Sequence, residues 1–426
     1  MFQMSFLLQP SFSAGDFSLI VLAAVLVTIA ARQLFRTRVM IWQIMVAGAV
    51  VVLLAGSISP AEALGAINVD VMLFLFGMFV VGVALEESGY LASLSYRLLR
   101  RARNVDQLVI AILFGAGFLS ALLMNDTLAI VGTPLLIHIA RKYEVSARLL
   151  LLSLAFGVTI GSVASPIGNP QNLLIAVGGG VPNPFVTFFR YLALPTAINL
   201  LFAYGVLRLL CGGEFGRQTL NHIQETVVDP DLALLSKLSL VVVMVLIAFK
   251  IVSVSLGFPS PLGLTEIALF SALPILLCSP RRLELVRKVD WRTLAFFASM
   301  FVLMESVWNS GHLQAAMNGS GFEATSIPVI LATSAIASQL VSNVPFVALY
   351  LPLLSTLDSS VEAMMALAAG STIAGNLTII GAASNVIIVQ NGEKRGTAIT
   401  FTDFMKVGIP LTAANLLVYW IFLSLL

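Results

Sequence analysis

Four short polar runs interrupt otherwise apolar stretches, and they hold the residues able to do chemistry. They are Met124-Asn125-Asp126-Thr127, GSVASPIGNPQN at Gly161–Asn172, Val341-Ser342-Asn343-Val344-Pro345, and GNLTIIGAASN at Gly375–Asn385. Pro166 and Pro170 remove backbone donors, and Gly168 permits a tight turn. Irregular backbone at membrane depth is tolerated only where it lines a cavity or is buried in protein. Each run therefore supplies freed carbonyls, helix-end dipoles and Ser, Thr or Asn side chains. Helix N-termini favour anions or electron-rich oxygens, whereas free carbonyls favour Na⁺ or a proton carrier. The plainer alternative is that these residues only cap kinked helices, since Ser and Thr commonly bond back to their own helix. Four such runs together are more than capping requires.

Among the charged residues, Asp126 stands at the tip of a broken apolar stretch. A carboxylate there is costly unless it is paired or protonated, which suits proton or cation coupling. It can also accept backbone N–H bonds at the start of the following helix. Glu305, deep in another apolar stretch, is a second coupling candidate, and pairing within the bundle is its alternative role. Glu86-Glu87 reads as an interfacial pair, Glu266 as a scaffold residue and His138 as a solvated interfacial histidine; His222 and His312 fall in a linker and an outer loop. No His/Cys/carboxylate spacing suits a metal, so no metal, cofactor or catalytic residue is expected. No GxxxxGK[ST] loop occurs, so ATP drive from this chain is not supported.

The elements that position these runs follow from hydropathy. Of 426 residues, 59% are hydrophobic and only 10% charged, against about 25% charged in a soluble domain. That composition excludes a water-soluble enzyme and a disordered chain, and the net charge of +2 gives no pull on nucleic acid. Full-length spans are expected at 17–34, 40–57, 69–85, 185–211, 238–256, 262–278, 293–308 and 401–426. Residues 147–177 and 361–390 read as broken helices. Residues 107–140 and 326–357 read as re-entrant hairpins, each too short for two comfortable spans. The first residues, before Phe17, carry no basic n-region or cleavage site and read as a short tail.

Basic loops at Arg32/Arg36/Arg38, Arg97–Arg103, Arg141/Lys142/Arg148, Arg281–Lys288 and Lys394/Arg395/Lys406 lie inside by the positive-inside rule. Ten spans with both termini outside satisfy this map; Arg190 and Lys250 are its exceptions. The chain is thus expected as an N-terminal half (1–211), a cytoplasmic linker (212–235) and a C-terminal half (236–426).

The halves resemble each other at an offset of about 213–222 residues. Val69-Asp70 matches Val289-Asp290, Met78-Phe79-Val80 matches Met300-Phe301-Val302, and Ser88-Gly89 matches Ser310-Gly311. Asn125 corresponds to Asn343, Gly168 to Gly381 and Asn172 to Asn385. By the charge map the copies have opposite orientation. The expected fold is an all-α polytopic membrane protein of two inverted repeats, each of five transmembrane helices plus a re-entrant hairpin, an arrangement typical of secondary transporters.

At the breaks, SPIGNPQNLLI (Ser165–Ile175), MNDT (Met124–Thr127), SNVP (Ser342–Pro345) and GNLTIIGAASNVIIV followed by EKRG resemble the ion transporter superfamily. The branch most alike holds arsenite permeases and sodium/proton antiporters. The resemblance implies a scaffold part and a transport part that moves in an elevator-like way. It places substrate and ion contacts on Asn125, Asp126, Thr127, Ser165, Asn169, Asn172, Ser342, Asn343, Asn376, Thr378, Ser384 and Asn385, with Gly168 between them. The di- and tricarboxylate branch carries Ser-Asn-Thr at both hairpin tips, and this chain does not, which disfavours a carboxylate cargo. The resulting expectation is proton-coupled efflux of arsenite or antimonite from the cell across the (inner) membrane. A sodium/proton antiporter or a sodium-coupled anion permease is the alternative. Protons or sodium are the expected coupling ions and the lipid bilayer the expected surroundings. The resemblance also admits a helper ATPase and a homodimer, on which no residue here reports.

Overall fold

In the computed structural model the described residues are 14–35, 39–99, 102–215, 229–256, 258, 262–311, 325–357 and 359–426. Arg36, Arg38, Arg100, Arg101, His222, His312 and most of the expected linker (216–228) lie outside them. All regular structure among the described residues is helical, and the chain is an all-α polytopic membrane protein. Large apolar side chains such as Phe189, Leu209, Val245 and Phe249 are more than half exposed on its long helices, a surface that suits lipid rather than water.

Two compact units are present. One combines Met1–Asn68 with Trp291–Phe322. It holds α1 (Ala14–Phe35), α2 (Ile41–Leu54), α3 (Pro60–Ala66) and α14 (Trp291–Trp308). Gly48 on α2 makes this crossing close: a Cβ there would stand 2.5 Å from Val25 of α1 and 3.4 Å from Leu303 of α14. Helix α3 was not expected. Ser59 and Glu62 form a reciprocal capping box with Pro60 at the first helical position, which is enough to start a short helix in a polar loop.

The other unit, Val69–Asp290 with Glu323–Leu426, contains everything that positions the four polar runs. Its helices are α4 (Val69–Glu87), α5 (Tyr90–Leu99), α6 (Val105–Leu122), α7 (Asn125–Lys142), α8 (Ala147–Ser162), α9 (Pro170–Gly178), α10 (Pro184–Leu210), α11 (Pro230–Ser255), α12 (Leu264–Cys278) and α13 (Arg282–Lys288). After Glu323 come α15 (Ile327–Val341), α16 (Asn343–Thr356), α17 (Val361–Ile373), α18 (Ala383–Glu393) and α19 (Phe401–Leu425). These units do not follow the sequence halves, because α14 packs with α1–α3 rather than with the rest of its half.

Helices flank both polar tips and both breaks. The first hairpin is α6–α7, and its arms are longer than expected. Each has 18 residues, about 27 Å of helix, and α6 alone is long and apolar enough to cross a membrane. The second hairpin, α15–α16, has arms of 15 and 14 residues, about 21–23 Å, well under the roughly 30 Å hydrocarbon core. The polar run from Gly212 ends earlier than Leu235. Asp229 accepts from Leu232 N at 3.0 Å and Pro230 occupies the first helical position, so α11 begins there.

Equivalent glycines set equivalent packing in the two halves. On α8, a Cβ at Gly157 would stand 3.1 Å from Leu113 Cα of α6. On α17, a Cβ at Gly370 would stand 3.2 Å from Leu331 Cα of α15. Gly161 approaches still closer: its Cβ would fall 2.1 Å from Gly117 Cα. The halves also share partners. The second arm of each hairpin packs on the broken helix of its own half and on that of the other, α7 on α8 and α18, α16 on α17 and α9.

Candidate functional site

Both broken helices are tied off by one construction. At the first, α8 ends at Ser162 and α9 starts at Pro170, with Asn169 accepting from Asn172 N at 2.9 Å as its cap. The Asn172 amide then donates to Ser162 O (3.1 Å), Val163 O (3.3 Å) and Ser165 O (3.0 Å). Its two amide hydrogens are thus shared among three carbonyls around the break; Ser162 O and Ser165 O also accept from Ser165 N and Gly168 N, whereas Val163 O has Asn172 as its partner. At the second break, the equivalent Asn385 donates to Gly375 O at 2.7 Å, again ten residues back. Gly168 is required by proximity rather than by backbone angle: a Cβ there would stand 2.5 Å from Ser162 O. Ser165 is buried and its hydroxyl accepts from Ile167 N at 3.3 Å.

The breaks and tips meet. Thr372, at the end of α17, receives the Asn169 amide at 3.2 Å and the Gln171 amide at 3.4 Å, and donates to Asn172 Oδ1 at 3.2 Å. The first hairpin tip is docked on the first break through Asn125 N, which donates to Gly168 O at 3.0 Å. Asp126 and Thr127 occupy the first turn of α7, both half-buried. Thr127 Oγ1 lies 3.1 Å from where a Cβ on Gly82 of α4 would stand. At the second tip, Ser342 holds φ +74°, a region a serine enters only at a cost. Asn343 is buried beside the second break, its Nδ2 3.7 Å from a Cβ built on Gly375, while Thr159 of α8 stands 3.4 Å from the same point.

Thr378 donates to Gln339 Oε1 at 2.7 Å, and Gln339 donates to Ala374 O at 2.7 Å. Asn376 faces α19, donating to Asn415 Oδ1 at 3.5 Å. Ser384 is fully buried at the start of α18. Glu305 belongs to the other compact unit, half-buried on α14.

Several buried polar atoms here have no hydrogen-bond partner among the protein groups: Asn125 Oδ1, Thr159 Oγ1, Asn343 Oδ1, Ser384 Oγ and Asn385 Oδ1. Leaving such atoms unpaired is costly unless a water or a ligand uses them. A cavity of about 360 Å³ opens beside the first break, lined by Gly161 and Ser165 together with Phe118, Phe189, Thr196 and Ile251. Thr159, Thr372 and Gln339 do not stand out in the sequence. A usable signal exists for two of them, since Thr159 and Thr372 are related by the 213-residue offset that relates Gly168 to Gly381.

Comparison with known proteins agrees with this architecture. An uncharacterized transporter of Mycobacterium tuberculosis is 28% identical over 84% of this chain and 86% of its own length. The solved structure of the YdaH transporter of Alcanivorax borkumensis, described as having an unusual topology, superposes with a TM-score of 0.59 at 15% identity, covering 85% of this chain and 86% of that one. MtrF of Neisseria gonorrhoeae, described among antimetabolite efflux pumps, gives a TM-score of 0.56 at 15% identity over 97% and 94%. These two likenesses establish the fold. The family model described as "Citrate transporter" matches residues 19–364, from the first helix through both hairpins. By this match and its transporter relatives the chain is a transporter rather than an enzyme, and it belongs to the CitMHS citrate transporter family.

Proposed function

We propose that this chain is a proton-coupled secondary transporter that exports arsenite or antimonite across the cytoplasmic membrane by an elevator-like movement. One observation carries the reading: the unpartnered buried atoms at the tips and breaks are neutral amides and hydroxyls. No Lys or Arg occurs in residues 104–140, 149–189 or 326–393, which contain all four runs. A polyanion desolvated in such a site would lack counter-charge. Arsenite at neutral pH is largely a neutral trihydroxide, which Asn125, Asn343 and Asn385 can hydrogen-bond without a cation. Asp126 is the acid within the first tip, and it takes up the proton that exchanges for the outgoing trihydroxide. Binding residues in this reading are Asn125, Thr127, Ser165, Asn169, Asn172, Ser342, Asn343, Thr378, Ser384 and Asn385.

The test is uptake of arsenite into everted vesicles containing the protein, with and without an imposed proton gradient, in vesicles free of ATP. Gradient-dependent accumulation supports cargo and coupling and leaves no need for a helper ATPase. No accumulation under any gradient overturns the arsenite assignment.

A second reading keeps the fold and changes the cargo to a sodium-coupled anion. It is favoured by the family's description and by the amide oxygens themselves, which are suitable Na⁺ ligands. Sodium-dependent citrate uptake in right-side-out vesicles, without arsenite transport, would select it.

A further inference from the structure

The last long helix of each half carries the same six-residue pattern. Thr196-Ala197-Ile198-Asn199-Leu200-Leu201 lies on α10, and Thr412-Ala413-Ala414-Asn415-Leu416-Leu417 lies on α19, at a constant offset of 216 residues. Residues three apart share a helix face, and α10 packs directly on α19. The two patterns therefore meet. Thr196 Oγ1 and the Tyr419 hydroxyl pair at 2.7 Å, and the Asn199 amide donates to Asn415 O at 3.4 Å. The second break joins them through the Asn376 amide, which donates to Asn415 Oδ1 at 3.5 Å. Helix α19 presses on that break at Gly408, where a Cβ would stand 2.2 Å from Asn376 O.

Asn199, Asn376 and Asn415 are fully buried, and Thr412 is 3% exposed. Four of their polar atoms have no partner among the protein groups: Asn199 Oδ1, Asn376 Oδ1, Asn415 Nδ2 and Thr412 Oγ1.

We propose that Asn199, Asn376, Thr412 and Asn415 form a binding site for one water molecule, which fastens the second break to the crossing of α10 and α19. The balance of donors and acceptors selects this ligand. Two amide oxygens require a donor, while the Asn415 amide and the Thr412 hydroxyl can each supply one. Water donates twice and accepts twice, so one molecule satisfies all four. A monovalent cation would satisfy the oxygens but meet the Asn415 NH₂ group, and an anion would oppose two amide oxygens. Rotating the Asn376 and Asn415 amides together by half a turn keeps their mutual bond and still leaves one donor and one acceptor. Buried waters of this kind make about three hydrogen bonds and are costly to remove. The inference does not depend on which cargo the protein carries.

The test is cryo-electron microscopy of the full chain in lipid nanodiscs, once in sodium chloride and once in choline chloride. One density peak within about 2.7–3.2 Å of all four side chains, present in both salts, is expected. A well-resolved crossing without that peak, or a peak confined to the sodium sample, overturns the proposal, the latter in favour of a cation. A second measurement needs no map. Asn199 bonds the Asn415 backbone and lies within hydrogen-bonding reach of Tyr419, and neither contact involves the Thr412 side chain, so a shared water is the direct link between the Asn199 and Thr412 side chains. Asn199→Ala and Thr412→Val should each lower the thermal midpoint of the purified chain, and the double variant should lower it by less than the sum of the two shifts. Additive shifts would overturn the shared water.

Discussion

At the scale of single residues, the amide of Asn172 has the largest structural role of any side chain in the candidate site. It donates to three carbonyls around the first break, and its Oδ1 receives Thr372 from the other half. Asn172→Leu leaves Val163 O without its partner and takes the acceptor from Thr372, at about 1–3 kcal/mol for each group that finds no other partner. The expected outcome is a thermal midpoint lowered by more than that of Asn385→Leu, which opens one carbonyl but breaks no hydrogen bond to the other half. Equal shifts in the two variants would show that the bond from Thr372 contributes nothing. Asp126 allows a different kind of test. If it carries the coupling proton, Asp126→Asn keeps the first turn of α7 and binds cargo but loses gradient-driven accumulation in everted vesicles. Full coupled transport by that variant would remove Asp126 from the mechanism. The cap at Asn169 is not among the expectations from sequence, although Asn followed by Pro is a local signal for one. Thr372 and Gln339 stay hidden because a single polar residue inside an apolar helix looks like a solvated or back-bonded side chain until its partner, 200 residues away for Thr372 and Asn172, is known.

At the scale of elements, close helix contacts are set by glycines, and one pair gives a sharp prediction. A methyl at Gly161 would fall 2.1 Å from Gly117 Cα and 2.3 Å from Gly117 O, backbone that cannot step aside. Gly161→Ala should therefore separate α6 from α8, where overpacking costs about 1–3 kcal/mol or more, and lower the yield of folded protein in the membrane. Gly205→Ala on α10 meets nothing within 4 Å and should be neutral; fluorescence-detected size-exclusion profiles of the two variants check this. Elements are also tied by charge at one place. Arg281 bridges Glu87 at the end of α4 (3.1 Å), Asp229 at the start of α11 (3.0 Å) and Glu284 on α13 (2.9 Å), and Lys288 joins Glu87 and Glu284. Hydrogen bonds from Arg281 and then Lys288 hold the Glu284 carboxyl down to about 2, from an ordinary 4.5. A carboxyl depressed in the folded state contributes fully above its unfolded value and loses that contribution as pH falls towards the folded one. The thermal midpoint of the native chain should thus fall more steeply than that of Glu284→Gln as pH drops from about 5 to about 3, and high salt should narrow the difference. Equal slopes would mean the node is too solvated to matter. The short helices α3 and α13 are not legible in the sequence because neither has enough turns to show a period; only their capping and charge pairs define them.

At the scale of the whole chain, the duplication is legible in the sequence itself. Asn125/Asn343, Gly168/Gly381 and Asn172/Asn385 announce it, and the matched glycine contacts at Gly157 and Gly370 repeat it in packing. The division into compact units is not legible there, because it depends on α14 leaving its own half to pack with α1–α3, a long-range choice that hydropathy does not encode. Orientation rests on loop charge alone: Arg141 and Lys142 follow the first hairpin, whereas Asp358 and Glu362 follow the second. If the two hairpins open to opposite sides, the ends of their second arms must label from opposite sides. Lys142→Cys and Thr356→Cys, both at exposed positions closing α7 and α16, can be placed in a background with Cys211→Ala and Cys278→Ser, which removes both native thiols. A membrane-impermeant maleimide should then reach Thr356→Cys in intact cells and Lys142→Cys only in everted vesicles. Labelling of both positions from one side would make the repeats parallel, and a parallel pair could not exchange access to one midplane site by swapping the roles of its two hairpins.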